Sequence, residues 1–515
     1  MNFLFKKNYN TKEKSRTAAA GQSSAAFDEN VSLSLDDNIT KFHKIFGEDT
    51  TIKFRKFQNQ KNPKIRCCIL FVDGMIDNIL INEHIIEPIM LNQHLHDKDN
   101  LLKTFEEKVL FSNEVIKSNQ MTKLISELLS GNTILLIDGC SYGLSLSTKG
   151  WPVRSIAEPT AEKVLSGPRE GFTETIIVNL SMIRRKICSP DLKFEFMSIG
   201  KQTQTKVALC YIDGIANENV LKNIRKRLKS ISIDGILDTN YVEELIKDAP
   251  RSPFKTTGST ERPDIVAAKL LEGRVALVVD GTPVVLTAPF FFIEYFQSND
   301  DYYTNFYVGT FGRWLRMLGF FTTLSLPAIY LALVTFHPDL LPTRFLLNLS
   351  ESRLELPFPT LFEMILLIFS FELILEGGSK VPDNFGQTLS ILGGLVLGQA
   401  AVDAKLVSIP VVIIIAFTGV TGIMIPHLKS PAILFRILWL ILASILGFPG
   451  YILGMIGVMI HLCSIESFGF PYMSSLSTSF PQKCQDTFIR SPWYKMKLRP
   501  SYISPYNRKR QRSQI

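Results

Sequence analysis

Five apolar tracts between Leu315 and Cys463 decide what the rest of the chain can be. Leu315–Phe336 has 22 residues and one charge, Arg316 at its start, enough to cross a bilayer as a helix. Leu361–Leu375 is shorter and carries Glu363 and Glu372, with Glu376 just beyond it. Phe385–Val402 and Leu406–Pro426 are separated by a tight link that holds Asp403 and Lys405. Ala432–Cys463 has 32 residues, too many for one span, and Gly447-Phe448-Pro449-Gly450 divides it into two short helices. One uniform soluble globule is excluded. The pattern predicts an α-helical polytopic membrane domain over 301–470 with an even number of spans, six or four.

Charge distribution supports that division. Residues 301–474 carry 18 charged side chains, with a balance of −2, and residues 1–300 are nearly neutral at +2. The last 41 residues hold nine Lys/Arg against one Asp, so the net +8 of the 515-residue chain resides in a basic tail, 471–515. Arg313 and Arg316 precede the first span, Lys429 and Arg436 fall in the link after the fourth, and the tail follows the last. Basic segments stay cytosolic, so six spans place all three groups and both termini inside. The tail is then expected on the anionic inner leaflet, each charge worth about 1 kcal/mol. The apolar stretch before Lys6 is too short for a signal peptide, and seven scattered cysteines without a C-x-x-C pair fit a reducing compartment.

Residues 1–35 are polar and expected to be disordered. A short helix at 36–47 follows, and continuous order is expected from Ile65. Four apolar β-type runs then end in Asp-Gly, at Asp73-Gly74, Asp138-Gly139, Asp213-Gly214 and Asp280-Gly281. Asp accepts a backbone N–H in a tight turn and Gly supplies a positive φ, so each run stops there. Runs at Tyr142–Ser147 and Val284–Thr287 add hairpins to the second and fourth. The first pair of turns is 65 residues apart and the second 67, offset from each other by 140 and 142. Helix-period segments fall between them: Ile79–Leu91 and Glu114–Leu129, then Asn219–Lys229 and Tyr241–Ile246. This predicts a cytosolic N-terminal region of two related α/β subdomains, 36–155 and 156–300.

No catalytic, cofactor or metal residues are assigned, and the chain is not read as an enzyme. It has no phosphate-binding G-x-x-x-x-G-K-[ST], no G-x-S-x-G, no H-E-x-x-H and no G-x-G-x-x-G. His84, His94 and His96 lie in a polar stretch that reads as a solvated loop. The basic run Lys222–Lys229 is interleaved with Ile224 and Leu228, which marks an amphipathic helix; nucleic-acid binding would need more basic surface.

Within the spans, Gly386, Ser390, Gly393, Gly394 and Gly398 form a small-residue stripe suited to close helix packing. Leu389, Leu392 and Val396 make the opposite, bulky face, the candidate pore gate. Glu372 and Glu376 are four apart on one helix face, directed to a bundle interior, a partner, water or the membrane interface.

Glu158-Pro159, Glu162-Lys163-Val164 and Gly167-Pro168-Arg169-Glu170-Gly171-Phe172 form a block found in a known family. Thr260-Glu261-Arg262-Pro263-Asp264, Leu271–Val275, Asp280–Pro283, Asp301-Tyr302-Tyr303 and Leu326–Tyr330 add further blocks. Ser352-Arg353, Pro357-Phe358-Pro359, Gly398–Val402 and Phe468-Gly469-Phe470-Pro471-Tyr472 complete the series. Over residues 30–500 the sequence resembles the A subunit of the GerA-type spore germinant receptors. It departs at Glu376-Gly377-Gly378, where Glu-Ala-Gly is commoner, and at Lys380, where Arg is usual.

The resemblance implies a multi-pass subunit of the spore inner membrane acting with a transporter-like B subunit and a lipoprotein C subunit. It also implies a homo-oligomer in contact with membrane lipids that responds to small nutrients as a ligand-gated ion channel. The alternative is an A-subunit paralogue associated with dipicolinate release, which modulates germination without its own nutrient partner.

Overall fold

The computed structural model describes residues 30–47, 49–92, 115–151, 159, 162, 164, 166–354, 356–380, 383–474, 486–500, 503, 504, 507, 509 and 510, without the side chains of 379 and 383–392. Residues 1–29, His94 and His96 lie outside the described residues.

Two α/β modules come first. In module 1, α1 (Leu35–Phe46) is followed by β1 (Ile52–Gln58), β2 (Arg66–Val72) and α2 (Asn78–Ile81). A π-helical turn, Asn82–Ile86, carries α2 into α3 (Glu87–Leu91), and β3 (Val115–Ser118), α4 (Met121–Leu129), β4 (Thr133–Ile137) and β5 (Gly143–Leu146) complete the module. Module 2 runs α5 (Ile176–Lys186), β6 (Leu192–Ile199), β7 (Thr205–Ile212), α6 (Glu218–Ser230) and α7 (Thr239–Ile246). It ends with β8 (Gly258–Thr260), α8 (Pro263–Leu271), β9 (Val275–Val279) and β10 (Val285–Ala288). Both sheets are antiparallel, and their strand orders, β1-β2-β4-β5-β3 and β6-β7-β9-β10-β8, are the same.

The strands read as continuous apolar runs because helices cover both faces of each sheet. Cys67 and Ile69 of β2 pack with α2 and α3, whereas Cys68 and Leu70 pack with α1 and α4. In module 2, Ala208 and Cys210 pack with α5 and α8, and Val207 and Leu209 with α6 and α7.

The Asp-Gly turns stand at equivalent places in the two modules. Gly74, Gly139, Gly214 and Gly281 have φ of 80°, 84°, 73° and 87°, a region that favours glycine. The second turn of each module does a further job. Asp138 Oδ1 accepts from Leu35 N at 3.1 Å, and Asp280 Oδ1 accepts from Ile176 N at 3.1 Å. Each aspartate thus satisfies an orphan N–H at the start of the module's first helix, α1 or α5. Asn38 and Asn179, both buried, bond back to Ser32 and Thr173 in matching pairs.

Two expectations change here. Order begins before Ile65, because β1 precedes it and pairs along its whole length with β2. Glu114–Leu129, read as one helix, divides into β3 and α4. Val115–Ser118 pairs with β5, so tertiary pairing overrides the helical period of that segment.

Buried polar contacts weld the modules together. Arg184 pairs with Asp49, both fully buried, and Lys193 Nζ donates to the carbonyls of Ile45 and Phe46 at 2.9 and 2.7 Å. Gly74 lies so close to Ile177 that a Cβ would meet its Cγ2 at 2.3 Å.

The remainder is helical: α9 (Asp300–Tyr303), α10 (Phe306–Phe336), α11 (Thr343–Glu351), α12 (Thr360–Ser379) and α13 (Asp383–Asp403), then α14 (Ile409–Ile423), α15 (Lys429–Leu446) and α16 (Phe448–Ser464). The long last tract breaks at Gly447, at φ 63°, where a Cβ would meet the Phe336 ring at 2.9 Å. Among the described residues, Phe306–Phe336 and Pro426–Leu446 are long and apolar enough to cross a membrane by length and composition. At about 1.5 Å per residue α10 measures about 46 Å, longer than a hydrocarbon core of about 30 Å. The hairpin β11 (Glu466–Ser467) and β12 (Phe470–Pro471) follows α16.

Asp138→Ala and Asp280→Ala should each cost about 1 kcal/mol, the worth of a helix cap. The expected readout is faster proteolysis within residues 30–300 of the purified chain, of similar size in both variants.

Candidate functional site

Module 2 and the helices share an apolar core. Phe291, Phe292, Ile293, Tyr295 and Phe296 leave module 2 and pack among Phe320, Leu324 and Ala328 of α10 and Trp439 of α15. The Phe292 and Phe320 rings meet edge to face with centroids 5.8 Å apart. The β11–β12 hairpin closes the other side. Ser467 Oγ donates to Thr256 O at 2.8 Å and accepts from Phe290 N at 3.0 Å, while Tyr472 Oη donates to Lys255 O at 2.8 Å.

An ionic cluster sits beside this core. Arg313 of α10 has no exposed surface. Its Nε donates to Asp301 of α9 at 3.0 Å, and Nη1 donates to Asp486 Oδ1 at 2.9 Å and to the carbonyls of Asp486 and Thr487. Arg316, one turn on, donates to both Asp301 oxygens at 2.7 and 2.6 Å, and Tyr302 Oη donates to Asp486 Oδ2 at 2.5 Å. Burial pushes the Asp486 carboxyl above the usual carboxylate range, against the pull of Arg313. A second pair stands behind it. Burial would raise the Glu294 carboxyl, but Arg274 at 2.6 Å and Lys269 hold it below its ordinary value.

A loop clasp joins the same region. Arg262 is fully buried; its guanidinium donates to Asp264, to Pro168 O at 2.8 Å and to Glu162 O at 3.3 Å. Tyr303 Oη donates to Asp264, and the Tyr303 ring lies against Gly167, where a Cβ would be 2.7 Å away. Phe172 N donates to Glu261 O at 2.8 Å, and Glu170 pairs with Arg185 and Lys186 at 3.0 Å each. Gly171 connects these two, and Pro263 opens α8. Between the clasp, α8, the foot of α10 and the tail lies a cavity of about 420 Å³, lined among others by Glu162, Lys255, Tyr295, Tyr303, Arg316 and Trp493.

The sequence-derived membrane residues are placed as follows. Leu389, Leu392, Gly386 and Ser390 fall on α13, outside the residues whose side-chain surroundings are described. Val396 is exposed on α13. The glycine stripe divides: a Cβ at Gly393 would lie 3.6 Å from Ile374 of α12, one at Gly398 would lie 3.9 Å from Val412 of α14, and one at Gly394 would meet nothing within 4 Å. Glu372 is paired with Arg436 of α15 at 2.6 Å, and Glu376 with Lys380 at 3.3 Å on the exposed end of α12. Arg436 is therefore not a loop charge, because α15 already begins at Lys429 and carries it into the bundle. Nor is the tail wholly given to lipid. Arg490 is buried, Arg499 Nε donates to Leu271 O at 2.7 Å, and Ser504 Oγ donates to Ile215 O at 3.0 Å. Lys495 and Lys497 stay exposed.

Sequence reasoning passed over Asp486, the cavity and Glu363, which is buried and accepts from Ser408 N and Oγ at 2.8 Å each. In sequence Arg313 and Arg316 read only as orienting charges. Their spacing of three on one helix face beside the acidic Asp300-Asp301 was the available signal.

Residues 40–502 match the model of the Bacillus/Clostridium GerA spore germination proteins. The chain belongs to the GerA family. It is 40% identical over 483 residues to spore germination protein KA of Bacillus subtilis (strain 168), covering 93% of this chain and 89% of that one. Spore germination protein GerLA of Bacillus cereus is 35% identical over 441 residues, covering 85% and 89%. The crystal structure of the N-terminal domain of the A subunit of the Bacillus megaterium spore germinant receptor GerK3 is 38% identical to this chain. It covers 51% of this chain and 97% of that one, with a TM-score of 0.42.

In this GerA protein several of the sequence blocks quoted for the family meet at one place. Pro168, Arg262, Asp264 and Tyr303 form the clasp, Asp301 anchors Arg313, and Phe468–Tyr472 is the closing hairpin. Asp486→Asn should remove the charge that holds the tail and leave buried Arg313 undercompensated, at a cost of about 3 kcal/mol. Trypsin should then cleave after Lys495 and Lys497 faster than in the parent chain, with cleavage in the α/β modules unchanged.

Proposed function

We propose that this chain is the A-type subunit of a nutrient germinant receptor and that copies of it assemble into a ligand-gated ion channel whose opening starts endospore germination. In this reading it lies in the spore inner membrane, crosses it six times with both ends in the cytosol, and catalyses no reaction. It works beside a transporter-like B subunit and a lipoprotein C subunit. Helix α13 lines the conduction path, with Leu389, Leu392 and Val396 as an apolar gate that opens by wetting, and the glycine stripe packs against neighbouring helices. The observation that carries this reading is the unbroken core from Phe291 to Trp439, because a displaced module 2 must then move α10 and α15. Such coupling suits a receptor subunit.

Val396→Ala or Leu392→Ser should ease wetting of the gate. Spores carrying either change are expected to leak ions or to germinate without nutrient. Normal sporulation with nutrient-dependent germination in both, and a leak from changes near Glu372, would move the pore to α12. For topology, a cysteine in place of Ser513 should resist membrane-impermeant labelling in intact cells; labelling from outside would remove the six-span arrangement.

A further inference from the structure

The cavity at the junction of module 2 and the helices is lined by one carboxyl group without an ion pair among the described residues. Its volume, about 420 Å³, lies in the range of small-molecule sites. Five carboxylates line it. Four have cationic partners: Asp264 with Arg262, Glu272 with Arg274, Glu294 with Lys269 and Arg274, and Asp486 with Arg313. The fifth, Glu162, has no ion pair among the described residues. Its Oε2 accepts from Thr260 Oγ1 at 2.6 Å and from Glu261 N at 3.2 Å. The adjacent Arg262 spends its donors on Asp264, Pro168 O and the Glu162 carbonyl, not on the Glu162 carboxylate. Burial pushes the Glu162 carboxyl above the usual carboxylate range, and the two hydrogen bonds and the neighbouring Arg262 charge offset this only in part.

Three of the four Lys and Arg side chains of the wall are paired with carboxylates. Lys255 pairs with Glu243, Lys269 with Glu294, and Arg316 with Asp301, while the Arg510 guanidinium lies 5.4 Å from the Trp493 ring centre. Phe290, Tyr295 and Tyr303 add aromatic surface, which favours a cation with an apolar body.

We propose that this cavity binds a small organic cation, an ammonium-bearing molecule whose charge pairs with Glu162 and whose apolar part lies along Phe290, Tyr295 and Tyr303. Such a ligand touches the clasp and the foot of α10 together, so its occupancy bears on how module 2 sits on the helices. The site is independent of the receptor reading, since its test reads binding to the purified chain and its failure leaves that reading intact.

The experiment follows the thermal-unfolding midpoint of the full-length chain in lipid nanodiscs as n-butylammonium chloride is added, with potassium chloride and sodium butyrate at equal ionic strength as controls. The expected result is a saturable rise with n-butylammonium alone. Glu162→Gln keeps an acceptor for Thr260 and Glu261 and should raise the half-saturating concentration at least tenfold. Ala268→Trp, which fills the cavity from the exposed side of α8 and leaves the carboxylate untouched, should do the same. An equal rise with potassium chloride, no rise at all, or a response unchanged in both variants would overturn the proposal.

Discussion

Arg313 is a fully buried cation, and three separate segments must meet to keep it charged. Stripping a guanidinium of water costs several kcal/mol, repaid only by good partners in a fixed geometry. Those partners are Asp301 on α9, Asp486 on the tail and two tail carbonyls. None is near it in sequence except Asp301. The pairing therefore fixes where module 2 ends, where the first long helix starts and where the chain returns after its last helix. Arg313 is the eighth residue of the 31-residue α10, so the cluster falls at the foot of that helix, where it meets module 2.

The α/β half depends on a different economy, the same local device used twice. A buried strand ends at Asp-Gly, and in the second turn of each module the aspartate reaches back to the N-terminus of the first helix. Rigid modules of this kind, welded through Arg184 and Lys193, can transmit a displacement that a string of loose domains would absorb.

Much of this was legible in the sequence, for identifiable reasons. The Asp-Gly turns need Gly at positive φ, and apolar runs before them need cover on both faces, so spacing alone exposed the repeat. The break at Gly447 followed from a tract too long for one span. What stayed hidden rests on contacts between distant residues. β1 begins with apolar and basic residues in alternation as an edge strand does, but Arg55-Lys56 breaks the pattern and the strand lies close to a polar N-terminus. β3 was absorbed into a helical period because only its pairing with β5 identifies it. Arg313 was visible as a charge, while its partner Asp486 lies 173 residues away. Arg436 reads as a loop cation in sequence, and its partner Glu372 lies 64 residues away on another helix. Some of the family blocks build the clasp, the ionic cluster and the hairpin around one junction, through contacts that the sequence alone does not display.

Hydrogen exchange on the full-length chain in nanodiscs, native and Arg313→Met, tests most directly whether this junction acts as one unit. The account predicts that the variant loses amide protection at 300–303 and at 486–490 together, while β2, β4, β7 and β9 keep theirs. Loss at one segment with protection retained at the other would contradict it, since the two would then be held by independent contacts and Arg313 would not be their common anchor.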